Sequence, residues 1–96
     1  MIPPIILPLV RRAIIDLMND IGGEHNDDVL SQLLVQLGHR VARRDVAEQL
    51  GWLDVAGLVR SERLGPYTVA RILADGRDVA EGRLQVEGVS KFKTGD

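Results

Sequence analysis

The apolar spacing changes once along this chain, and it changes at Gly57. Before that point hydrophobic residues recur every three or four positions. After it, two short runs of strand-forming residues flank Gly65-Pro66. The first spacing puts side chains on one face of a helix, and the second suits a β-hairpin. The chain is therefore read as helices first and a hairpin second.

The spacing predicts a first helix over about 8–21. Val10, Ile14, Leu17, Met18 and Ile21 share one face, and Gly22-Gly23 stop it. Asn26 or Asp27 can cap a second helix whose apolar face is Val29, Leu30, Leu33, Leu34 and Leu37. A short connection, Gly38-His39-Arg40-Val41, leads to a third helix over about 43–56. Its inner side carries Val46, Gln49, Leu50 and Leu53, and its outer side Arg44, Glu48 and Val55. Gly51 weakens this helix and predicts a kink or fraying. The hairpin strands are expected over 58–64 and 67–73, and a last short helix over about 77–82. Residues 1–8 read as an apolar arm and about 84–96 as a loose tail, on a single domain of 96 residues. Three helices, the last two joined by a tight turn, then a hairpin and a short C-terminal helix make a mainly α (α+β) winged helix-turn-helix. The third helix is the candidate recognition helix and the hairpin the wing.

Aromatic residues are scarce, at 3%, so the core must be aliphatic. The chain has no cysteine, which excludes disulfides, thiolate metal sites and a cysteine nucleophile. The apolar run over 2–10 is broken by Pro3, Pro4 and Pro8 and is too short to span a bilayer. No basic stretch precedes it, so a signal peptide is not expected, and a soluble, cytoplasmic protein with no membrane partner is. The run from Ile2 to Val10 is expected to pack against a second copy of the chain, because exposed apolar patches mark interfaces.

The net charge of −2 is unevenly spread. Five acids and no Lys or Arg lie between Asp16 and Asp28, whereas six arginines meet four acids between Gly38 and Arg71. Positive charge thus gathers where a helix-turn-helix meets DNA.

The stretch from Leu37 to Gly88 resembles winged-helix regulators of the MarR and ArsR types. Ala56-Gly57-Leu58-Val59 looks like the end of their recognition helix entering the wing, and the run from Val69 to Ala80 like their second strand and following helix. A closer resemblance is to a family of small proteins of Mu-like phages and prophages. It rests on Leu37-Gly38-His39, Leu50-Gly51-Trp52-Leu53, Gly57-Leu58-Val59, Thr68-Val69-Ala70, Gly76, Asp78-Val79-Ala80, Gly82-Arg83 and Gly88-Val89. It covers about three-fifths of the chain and is weak before Asp28. It implies the fold and a phage origin, and carries no activity with it. Where that family usually has a serine before the third helix, this chain has Ala42, which cannot cap free amides and so weighs against tight DNA contact.

Arg40, Arg43 and Arg44 are candidates for phosphate or guanine contact in a major groove, with Arg44 aimed outward and the other two serving phosphates. They also fit a solvated helix start, with Asp45 and Glu48 nearby opposing phosphate. Arg60, Arg63 and Arg71 could reach the DNA backbone from the wing, or form cross-strand ion pairs with Glu62. Trp52 reads as packing between the third helix and the wing. His25 and His39 are too few for a metal site, and no nucleophile elbow, phosphate loop or dinucleotide fingerprint is present. The expectation is a double-stranded DNA binder, acting as a homodimer and possessing no cofactor, no small-molecule ligand and no enzymatic activity. The alternative is a protein–protein interaction module on the same scaffold.

Overall fold

The computed structural model describes residues 1–91, and the part of the expected tail over 92–96 lies outside the described residues. A 3₁₀ turn, Pro4–Ile6, leads into α1 (Leu7–Ile21). Then follow β1 (Glu24–Asn26), α2 (Asp27–Gln36), α3 (Arg43–Val55), β2 (Val59–Leu64), β3 (Tyr67–Ile72) and α4 (Ala74–Ala80). Four α-helices thus combine with one antiparallel three-stranded sheet of order β1-β3-β2, an α+β architecture. No helix among the described residues is long and apolar enough to cross a membrane.

The helices form where the periodicity placed them, within a few residues. Asn26 caps α2 by accepting the Val29 amide at 2.8 Å. Both α2 and α3 end in the same way. The His39 amide donates to Leu34 and the Leu58 amide to Leu53, each across a glycine (Gly38, Gly57) whose positive φ an L side chain would resist. These two stops keep the α2–α3 turn short and deliver the chain from α3 straight into β2. Gly51 does not end α3, which continues through it to Val55.

Two expectations need correction. The polar stretch at 24–26, where the sequence predicts no strand, is β1. It pairs with β3, setting Glu24 opposite Arg71 and Asn26 opposite Val69. Three polar-rich residues carry no alternating apolar signal, so only the neighbouring strand edge makes them a strand. The last helix begins at Ala74, three residues earlier than expected, because Gly76 belongs to its buried face.

The core is aliphatic throughout. Ile14, Ile15 and Met18 of α1 meet Leu30 and Leu34 of α2, Val46, Leu50 and Leu53 of α3, and Val59, Ala70 and Ile72 of the hairpin. Trp52 packs against the core, as expected, and also reaches the N-terminal helix: its ring lies under the Arg11 guanidinium, 3.9 Å from ring centre to carbon, and against Gly88, so it joins α3 to α1 and the C-terminal segment. Arg11 also donates to the buried Gln49 side chain (2.9 Å) and to the Gly88 carbonyl (3.1 Å). Arg12 donates to the carbonyls of Val79 and Ala80 at the end of α4, where positive charge suits the helix dipole. Val86 packs against the core and Val89 is buried within it, although residues 84–91 form no helix or strand. The apolar start divides. Ile2 packs on the chain's own core, while Ile5, Ile6 and Leu9 stay exposed.

Candidate nucleic-acid interface

The hairpin is fixed to α3 at two points. At its root, the Asp54 carboxylate in the last turn of α3 accepts both the Ser61 amide (2.9 Å) and the Ser61 hydroxyl (2.8 Å). These two hydrogen bonds, the amide first, hold the Asp54 carboxyl below its ordinary pKa; partial burial opposes them and the Arg60 charge assists. A depressed carboxylate pKa adds stability that is complete above the unfolded value, about 3.9, and is lost as pH falls through the folded value. Asp54→Ala is therefore expected to cost about 1–3 kcal/mol at neutral pH, the range for bonds to a charged group. Urea midpoints measured from pH 7 down to pH 2 should show wild type losing this margin below about pH 4, while the variant's profile stays flatter. Parallel profiles would show that the contact contributes nothing.

At its tip, Arg43 reaches from the first turn of α3. Its Nε lies 3.3 Å from Oδ1 of Asp27, an Asp that is only 3% exposed at the start of α2. Its guanidinium also donates to the Pro66 carbonyl in the hairpin turn and stacks over the Tyr67 ring at 4.5 Å. Arg43, expected to serve phosphates, thus has Nε and Nη2 engaged with protein groups while its side chain stays 39% exposed.

The other five arginines of the middle segment are exposed. Arg40 lies in the α2–α3 turn and Arg44 on the outer face of α3. Arg60 and Arg71 face each other across β2 and β3. Arg63 donates to the Gly65 carbonyl of the turn (2.8 Å). Among the described residues none of the five enters an ion pair. The cross-strand pairs expected with Glu62 do not form, because the register sets Glu62 opposite Val69 and Arg63 opposite Thr68. Glu48 is exposed one turn after Arg44, and Asp45 faces the Met1 nitrogen at 3.4 Å. Ala42 caps nothing, as its side chain dictates.

Sequence reasoning missed Asp27, Asp54, Ser61 and Tyr67 as the fasteners of this surface. Asp27 was read only as a capping acid, and nothing in its neighbours signals the Arg43 contact. Among the described residues no group of three or more His, Cys, Asp or Glu side chains is placed to hold a metal ion.

No protein-family model matches the chain, and no solved structure matches it. A relative in Escherichia phage Mu, the uncharacterized protein gp26, is 37% identical over 81 residues, which is 84% of this chain and 84% of the relative. Identity at that level over most of both chains places this protein in the family of the phage Mu protein gp26.

Proposed function

We propose that the protein is a winged-helix binder of double-stranded DNA, with α3 as the recognition helix and the β2–β3 hairpin as the wing, serving as a transcriptional regulator of a Mu-like phage. The order helix, strand, helix, helix, hairpin supports the winged-helix reading. One observation carries the DNA reading: Arg40, Arg44, Arg60, Arg63 and Arg71 are all exposed on the α2–α3 turn, α3 and the hairpin, and no carboxylate neutralises them in an ion pair. Free arginines are what phosphate oxygens and guanine edges require.

Fluorescence anisotropy on phage promoter fragments over a salt series tests this. Arg44→Ala should cost about 1–3 kcal/mol and relax sequence preference, as a base-reading contact does. Arg40→Ala should weaken all sequences alike and lower the salt slope by about one unit, as a phosphate contact does. Wild-type binding no tighter than about 10⁻⁴–10⁻⁶ M at physiological salt, over several fragments, would sink the regulator reading.

The reading includes a homodimer, since one such module offers DNA a small interface. Ile5, Ile6 and Leu9, exposed beside one another at the start of α1, are the surface proposed for the second copy. Light scattering after size exclusion should give a two-chain mass for wild type and a one-chain mass for Leu9→Asp. A one-chain mass for wild type rejects the dimer.

A second reading, a protein–protein interaction module, is favoured by Val55. It is 91% exposed on the outer face of α3, and Leu64 and Tyr67 are exposed near the hairpin tip. Apolar side chains at those places suit a protein partner better than phosphates.

A further inference from the structure

We infer that Arg43 is a latch that sets the position of the hairpin tip against the start of α3, and that it acts on DNA binding through this position and not by touching DNA. The DNA part of this inference rests on the function proposed above; the latch itself does not.

β3 is paired on both sides as far as Val69, by Asn26 of β1 and Glu62 of β2. Beyond that point only Arg63 and Leu64, opposite Thr68 and Tyr67, continue as a two-stranded ribbon, which carries the tip about 7 Å further, taking about 3.3 Å per residue. Such a ribbon has little stability of its own, and the Asp54–Ser61 contact holds β2 before it begins. At the far end one side chain makes three contacts with three different elements: the Asp27 carboxylate on α2, the Pro66 carbonyl in the turn and the Tyr67 ring on β3. Arg43 itself stands in the first turn of α3. The guanidinium is suited to this because it is planar, with donors in a fixed fork and a face that stacks on an aromatic ring. Asp27 strengthens the latch, because burial at 3% exposure makes an unpaired carboxylate costly. Arg44, the next residue, is exposed and shares none of these contacts. Two adjacent arginines therefore divide the work, one fixing the wing and one facing outward.

The test uses two variants. Arg43→Gln removes the charge but leaves Asp27 buried without its partner, which can itself unfold the chain. The double variant Arg43→Gln with Asp27→Asn removes both charges and keeps the protein foldable. Backbone order parameters from ¹⁵N relaxation should fall at Leu64, Gly65 and Tyr67 from about 0.85 to below about 0.6 in the double variant, with the core unchanged. On DNA the double variant should bind about tenfold more weakly with the salt slope of wild type. A turn that stays as ordered as in wild type overturns the latch. A slope reduced by about one unit means that Arg43 itself meets a phosphate, and overturns the division of roles. If wild type binds no DNA, the proposed function fails, and the latch stands or falls on the order parameters alone.

Discussion

Replacing Gly76 with alanine is expected to lower the thermal unfolding midpoint by roughly 8–16 °C, the equivalent of about 2 kcal/mol in a chain of this size. A methyl group there would sit 2.1 Å from the Leu58 carbonyl oxygen and 2.7 Å from Cγ1 of Ile72. The first is a backbone atom, and the same oxygen accepts the Leu73 amide at 3.0 Å. It cannot turn aside as a side chain can, so α4 must move off the hairpin and lose contacts around Val79 and Ala80. Alanine is favoured over glycine by about 1 kcal/mol inside a helix, but overpacking against fixed atoms costs about 1–3 kcal/mol and sometimes more. Gly51→Ala is the matched control. It too is helical, but nothing lies within 4 Å of the new methyl group, so its midpoint should rise. A rise in both variants would show that α4 does not press on Leu58.

Leu53→Ala should cost about 2–5 kcal/mol in urea denaturation, the range for deleting a fully buried aliphatic side chain. Leu53 is 0% exposed. It also sits where α3 ends, its carbonyl accepting the Leu58 amide at 3.0 Å while Leu58 packs beside it in the core. The substitution therefore opens a cavity at the joint between α3 and the hairpin. A loss under about half a kcal/mol, far below the usual cost of such a cavity, would mean that the joint is held by the backbone alone.

The helices and hairpin were legible because each carries its own period. Val46, Leu50 and Leu53 mark the inner face of α3 without reference to any other part of the chain, and all three are fully buried. What the sequence hid depends on distant partners. Gly51 and Gly76 look alike as helical glycines, yet one faces solvent and the other a carbonyl from another element. Trp52 announces packing but not its direction, which Arg11 and Gly88 decide. At the candidate site, the arginines were visible as a cluster. That Arg43 is occupied while Arg40 and Arg44 are not follows from a buried aspartate sixteen positions earlier and a turn carbonyl twenty-three positions later. No local pattern encodes either separation.

The contacts of Arg11 and Arg12 also bear on the order in which a growing chain can fold. Both guanidiniums lie on α1, yet their carbonyl partners are at Val79, Ala80 and Gly88, up to 77 residues downstream. At roughly 5–20 residues per second of synthesis, the last of these partners follows Arg11 by about 4–15 s. Through that interval α1 has its apolar face ready for α2 and α3, and Arg11 can already meet Gln49 and Trp52 and Arg12 can meet Asp16, but the downstream carbonyls that complete their contacts are still missing. Docking of the first helix is thus completed only when α4 and the segment at Gly88 have been made.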